Sequence, residues 1–149
     1  MPNTRVLTPN PARLLRQDHE RIRRLFALHG RTASEETGDR EAFFRLIRRE
    51  MLSHSALEAR HFYSAFDVGE TTLQDDQAAM EGLLERLALT KSTDKSYDAL
   101  MKLLEENFAL HSAAEERELF PRLDSMSLDR LQALTIALEY ARQQREEES

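Results

Sequence analysis

Two short phrases in this chain repeat almost letter for letter, HSALE at residues 54–58 and HSAAE at residues 111–115. Each sets a histidine four residues before a glutamate. On a helix that spacing stacks the two side chains on one face, so His54 with Glu58 and His111 with Glu115 each offer an imidazole nitrogen beside a carboxylate oxygen. Such a pair can ligate a metal ion or make an ordinary surface hydrogen bond, and spacing alone does not choose between them. The chain holds only five histidines. A third, His19, stands in DHERIRRLF.

The elements that must position these groups are helices. Leu, Ala, Glu and Arg dominate, glycine and proline number four each, and tryptophan and cysteine are absent. This composition favours helix over a sandwich or barrel. A length of 149 residues fits a single domain spanning 1–149, with a bundle over about 11–122 and a further short helix over about 127–145. Asn10-Pro11 predicts the first helix start. Asp39 is the expected cap of the second helix, a Thr71–Gln74 capping box that of the third, Asp94 or Ser96 that of the fourth, and Ser127 that of the fifth. Four helices of similar length with short links predict an all-α, up-down-up-down antiparallel four-helix bundle, with the C-terminal helix packed outside it.

Apolar periodicity then decides which way the histidines face. Phe43, Ile47, Met51, His54, Glu58 and Phe62 follow one another by three or four residues, as do Leu100, Leu104, Phe108, His111, Glu115 and Leu119. Leu15, His19, Ile22 and Phe26 form the matching stripe of the first helix. Three inward histidines and two inward carboxylates therefore share one layer. A buried ionised carboxylate is costly without compensation, and these stripes carry no Lys or Arg, so the layer calls for a bound cation. Without cysteine, histidine and carboxylates must hold it. His29 is expected at a helix C-terminus in a structural role. His61 and Tyr63 are candidates for the rim of the site.

The formal charge of −6 argues against nucleic-acid binding. No apolar run is long enough for a membrane span, and MPNTRVLTPNPARLL lacks the apolar centre of a signal peptide. A cytoplasmic location is the expectation.

With its leading DHERIRRLF, its two His-x-x-x-Glu phrases and its EERELFPRL, the sequence resembles the hemerythrin-like HHE cation-binding domain over roughly residues 11–142. That resemblance implies a four-helix bundle holding a non-haem iron centre, two ions expected and one as the alternative. It further implies that Glu58 and Glu115 bridge the ions, that His19 and His54 bind one, and that His111 binds the other. Family members place a histidine on the third helix, where this chain has Gln77 in DDQAAMEGLLERL. Amide oxygen is a poorer iron donor than imidazole, so the Gln77 position is expected to be weak or vacant, with Glu81 a turn away as a substitute. The functions implied are binding or reacting with dioxygen, peroxide or nitric oxide, for sensing, iron handling or detoxification. A helical interaction module with a decayed mono-metal or empty site is the alternative. No protein partner can be named.

Overall fold

In the computed structural model, which describes residues 9–32, 36–66 and 72–148, the first helix begins and ends where side chains satisfy free backbone groups. Helix α1 spans Pro11–Gly30, and the Asn10 side chain accepts a 3.0 Å hydrogen bond from the Arg13 amide. At its other end the Thr32 hydroxyl donates to the His29 carbonyl. Helix α2 spans Thr37–Leu57, starting two residues before the expected cap, Asp39, which lies in its first turn. It continues as a π-helical turn, Glu58–Phe62, and a 3₁₀ turn, Tyr63–Ala65. Helix α3 spans Thr72–Ala88, and the proposed Thr71–Gln74 box lies outside the described residues.

Helix α4 spans Tyr97–Glu118. Ser96 takes the cap position without a side-chain cap bond, while Asp94 accepts from both the amide and the hydroxyl of Ser96 and so shapes the approach. Pro121 sits in a 3₁₀ segment, Phe120–Ser125. Ser127 accepts from the Arg130 amide at the start of α5, Leu128–Glu148. This last helix runs 21 residues, as long as α2, and carries on through the charged stretch QQREEE.

Cross-helix pairs fix the directions. Residue 18 of α1 meets residue 54 of α2, and residue 21 meets residue 50, so these helices run antiparallel. His29 meets Tyr97 and His19 meets Glu115, so α1 and α4 are antiparallel as well. Helix α3 packs along α4, and α5 lies against α1, α2 and the π turn. The chain is an all-α antiparallel bundle with an added C-terminal helix. No strand occurs among the described residues, and no described helix is long and apolar enough to cross a membrane.

Two apolar cores divide the interior. The first gathers Ile22, Phe26, Ile47, Met51, Leu84, Leu104 and Phe108 with their neighbours. The second gathers Leu15, Leu57, Phe62, Leu119, Phe120 and Leu138. Along α1, α2 and α4 alike, a polar layer separates them: Asp18 and His19, then His54 and Glu58, then His111, Ser112 and Glu115, all buried. Burial in these cores sets the cost of truncation. Leu104→Ala, at a fully buried site, is expected to lower unfolding free energy by about 2–5 kcal/mol. Leu110→Ala, at a site 71% exposed, should stay within about 0.5 kcal/mol of the parent in urea titrations.

Candidate metal centre

The polar layer is built by helical register. His54 and Glu58 remain one turn apart because the Glu58 amide still bonds the His54 carbonyl. The backbone then widens, with the Tyr63 amide bonding the Glu58 carbonyl, an i to i+5 bond. In a continuous α-helix residue i+5 would sit about 140° around from residue i. The wider turn instead brings Tyr63 over Glu58 and into the layer. π turns are rare and concentrate at functional sites.

Four residues converge most tightly. One ligand atom each from His19, His54, Glu58 and Glu115 lies within 4.8 Å of the other three. His19 Nε2 stands 3.1 Å from Glu115 Oε1, and His54 Nε2 stands 3.2 Å from Glu58 Oε1. His19 Nε2, His54 Nε2, Glu58 Oε2 and Glu115 Oε1 are all buried and find no hydrogen-bond partner among the described residues. Buried polar atoms are otherwise almost always paired. Two imidazoles and two carboxylates brought together here, each with a buried atom that makes no hydrogen bond among the described residues, suit a divalent transition metal. Phe108 meets the His19 ring edge-on, and Phe120 stacks against it.

His111 approaches the same carboxylates but lies outside this quartet. Its Nε2 is 3.4 Å from Glu115 Oε2 and 3.9 Å from Glu58 Oε1. Tyr63 and Gln77 occupy this side with it. The Tyr63 hydroxyl donates to Glu115 Oε2 at 2.7 Å and stands 3.3 Å from His111 Nε2. The Gln77 amide donates to Glu58 Oε1 at 2.9 Å and to the Tyr63 oxygen at 3.2 Å. Gln77 is thus buried at the cluster, with its amide nitrogen toward the carboxylates.

The chain belongs to the hemerythrin HHE cation-binding family. The family model for that domain matches residues 10–123, most of the chain and all of the polar layer. No curated protein and no solved structure matches it. In this domain the buried cluster of His19, His54, Glu58 and Glu115 is a group whose ligand atoms lie close enough together to hold a metal ion.

The electrostatics show how tightly the groups constrain one another. Burial and the adjacent charge of Glu115 push the Glu58 carboxyl up. Burial acts the same way on Glu115, but the close approach of Glu58, His111 and His19 outweighs it and holds Glu115 well below the usual carboxylate range. Burial disfavours a charged His54, yet Glu58 and Asp18 on either side raise it well above the ordinary histidine value. His111 likewise overcomes burial through Glu115 and Glu58 and is pushed up to about 9. Burial and the two glutamates raise Tyr63, which therefore stays a neutral hydroxyl donor.

The remaining candidates lie elsewhere. His29 is buried at the end of α1, where burial lowers its pKa and its Nε2 shares a 2.8 Å hydrogen bond with the Tyr97 hydroxyl. His61 is half-buried and lines a cleft between α2 and α5 with Arg145. Glu81 is exposed, beside the buried run Gln77, Met80, Leu84 and Leu87, so it does not join the cluster as expected.

Sequence reasoning missed Asp18. It is 2% exposed, and its Oδ2 accepts a 3.0 Å hydrogen bond from His54 Nδ1–H. This bond keeps one proton on Nδ1, so the ring presents a bare Nε2 to the quartet once its second proton is lost. The signal was present, because Leu15, Asp18 and Ile22 continue the three-then-four walk of a buried stripe.

A pH test follows from His111. The folded state binds its proton more tightly than the unfolded chain, whose histidines titrate near ~6.5. The stabilisation is complete below that value and is lost as pH rises through about 9. In EDTA-treated protein, the urea midpoint of the parent is expected to fall relative to that of His111→Gln across this window.

Proposed function

We propose that this domain is a non-haem iron protein that binds or reacts with dioxygen, peroxide or nitric oxide. The supporting observation is the convergence of His19, His54, Glu58 and Glu115, each with a buried side-chain atom that makes no hydrogen bond among the described residues. These four would hold the first ion. Glu58 and Glu115 would bridge to a second, bound by His111 and more weakly held because Gln77 offers no imidazole. When bound, iron supplies a coordination position for a small ligand and the capacity to exchange electrons with it.

The protein groups support that role in distinct ways. Glu58 and Glu115, both fully buried, supply the negative charge. Phe62, Phe108 and Phe120 surround the layer and keep water away, so a ligand of two or three atoms fits better than a larger substrate. Tyr63 holds a proton on its hydroxyl oxygen beside His111 and Glu115, where it can donate to a small oxygen-containing ligand. Sensing, iron handling and detoxification all rest on these same contacts.

A one-iron protein is the second reading, favoured by the bonds that already link Gln77, Tyr63 and Glu115 on the His111 side.

Iron content tests the carboxylates. After anaerobic loading and desalting, Glu58→Gln and Glu115→Gln are expected to retain less iron than His29→Gln by elemental analysis. Equal content in all three would remove the carboxylates from the site. Gln77→His tests the second position. It should tighten binding of the second equivalent in calorimetric titrations and raise the melting temperature only when iron is present. If the parent already binds two ions as tightly as the variant, the weak second position does not exist. Mixing the loaded protein with peroxide, dioxygen or nitric oxide should change its absorbance with at least one of them, and silence with all three would refute the ligand assignment.

A further inference from the structure

Asp18 does more than accept a proton from His54. Its Oδ1 faces two arginines of α5, Arg145 Nη2 at 3.5 Å and Arg142 Nε at 3.6 Å, with Arg21 Nη1 at 3.8 Å. Arg142 and Arg145 are three residues apart and so share one face of α5, and their side chains are only 15% and 14% exposed. Arg142 also donates to the Gln17 side chain at 3.2 Å. Two cations thereby stand in a half-closed position against one buried carboxylate. They act on it as charges, since Asp18 Oδ1, Arg142 Nε and Arg145 Nη2 make no hydrogen bond among the described residues. That carboxylate spends its other oxygen on His54.

Helix α5 begins at Leu128, beyond residue 123 where the family match ends. It is anchored independently by buried Leu134 and Leu138 and by a bond from Arg130 to the Ala65 carbonyl. Contacts other than the arginine pair thus also attach the helix. An isolated carboxylate at this depth would be strongly disfavoured, and a carboxylate free to rotate would not fix the His54 ring.

We propose that Asp18 is a positioning residue for His54 and that α5, through Arg142 and Arg145, is a working part of the metal centre. The clasp holds the Asp18 carboxylate in place, the carboxylate holds the His54 ring, and the ring presents Nε2 to the quartet. Metal loading and docking of the arginine-bearing turn of α5 are then linked, so each strengthens the other. This rests on His54 being a ligand, as proposed above.

The experiment uses the full chain and ferrous iron alone, titrated anaerobically by calorimetry. Asp18→Asn is expected to weaken iron binding by about 10–100-fold, the usual effect of removing a carboxylate behind a ligating histidine. The doubly substituted Arg142→Gln, Arg145→Gln protein should weaken it in the same direction. The Arg142→Lys, Arg145→Lys protein should recover most of the loss by restoring the charges. Arg130→Gln, which removes an α5 contact away from Asp18, should leave affinity unchanged. Melting of the chelator-treated variants checks that each is folded. Hydrogen exchange reads the linkage directly: iron should slow exchange of the amides around Arg142–Arg145 in the parent, and not in the double glutamine variant. Parent-like iron affinity in the double glutamine variant overturns the clasp. Parent-like affinity in His54→Gln overturns instead the ligand assignment beneath it, and so distinguishes the two failures.

Discussion

Glu58 and Glu115 lie fully buried between two apolar cores, and two adjacent carboxylates in such a place demand compensation. Much of the interior is arranged around that demand. His19, His54 and His111 close on them from three helices, and Tyr63 and Gln77 donate hydrogen bonds to the oxygens left over. Buried atoms on both glutamates and on all three histidines make no hydrogen bond among the described residues. A cation between the carboxylates would relieve their mutual repulsion. The same layer interrupts the apolar packing, so the fold carries a cost at its centre that metal binding can offset.

The two sides of the layer are built differently. On the His19–His54 side two imidazoles stand 3.1 and 3.2 Å from the carboxylates of Glu115 and Glu58. On the His111 side a short chain of hydrogen bonds runs from Gln77 through Tyr63 to Glu115. The π turn makes this possible, because it carries Tyr63 inward from a position that an unbroken helix would turn away. Histidine at position 77 would offer nitrogen where the amide now donates to Glu58. Gln77 and the backbone widening therefore act on the same place, and both make the His111 side a hydrogen-bonding surface.

The layer also reaches outward. Asp18 connects His54 to the arginines of α5, so that a helix outside the family match touches the back of a candidate ligand. Polar groups set behind metal-binding histidines fix ring orientation and basicity. The distinctive chemistry of this chain can thus lie in what surrounds the shared residues as well as in the residues themselves.

By itself the sequence determined the helices, their order and the inward facing of His19, His54, Glu58, His111 and Glu115. The reason is local. Helical periodicity places a residue on the buried face according to its spacing from apolar neighbours three and four positions away, and these five occupy such positions. Tyr63 was legible only as a nearby residue, because its inward turn depends on a single i to i+5 backbone bond that interrupts the periodicity. Glu81 looked like a neighbour of Gln77 by register, yet it lies just past the edge of the stripe buried by α4 and is exposed. Asp18 shared a buried stripe, but its partners sit 36 residues away on α2 and beyond residue 140 on α5. Nothing in the spacing within one helix specifies which side chain on another helix will face it. Only the packing of α5 against α1 and α2 decided that an aspartate beside a candidate ligand would be held by two arginines.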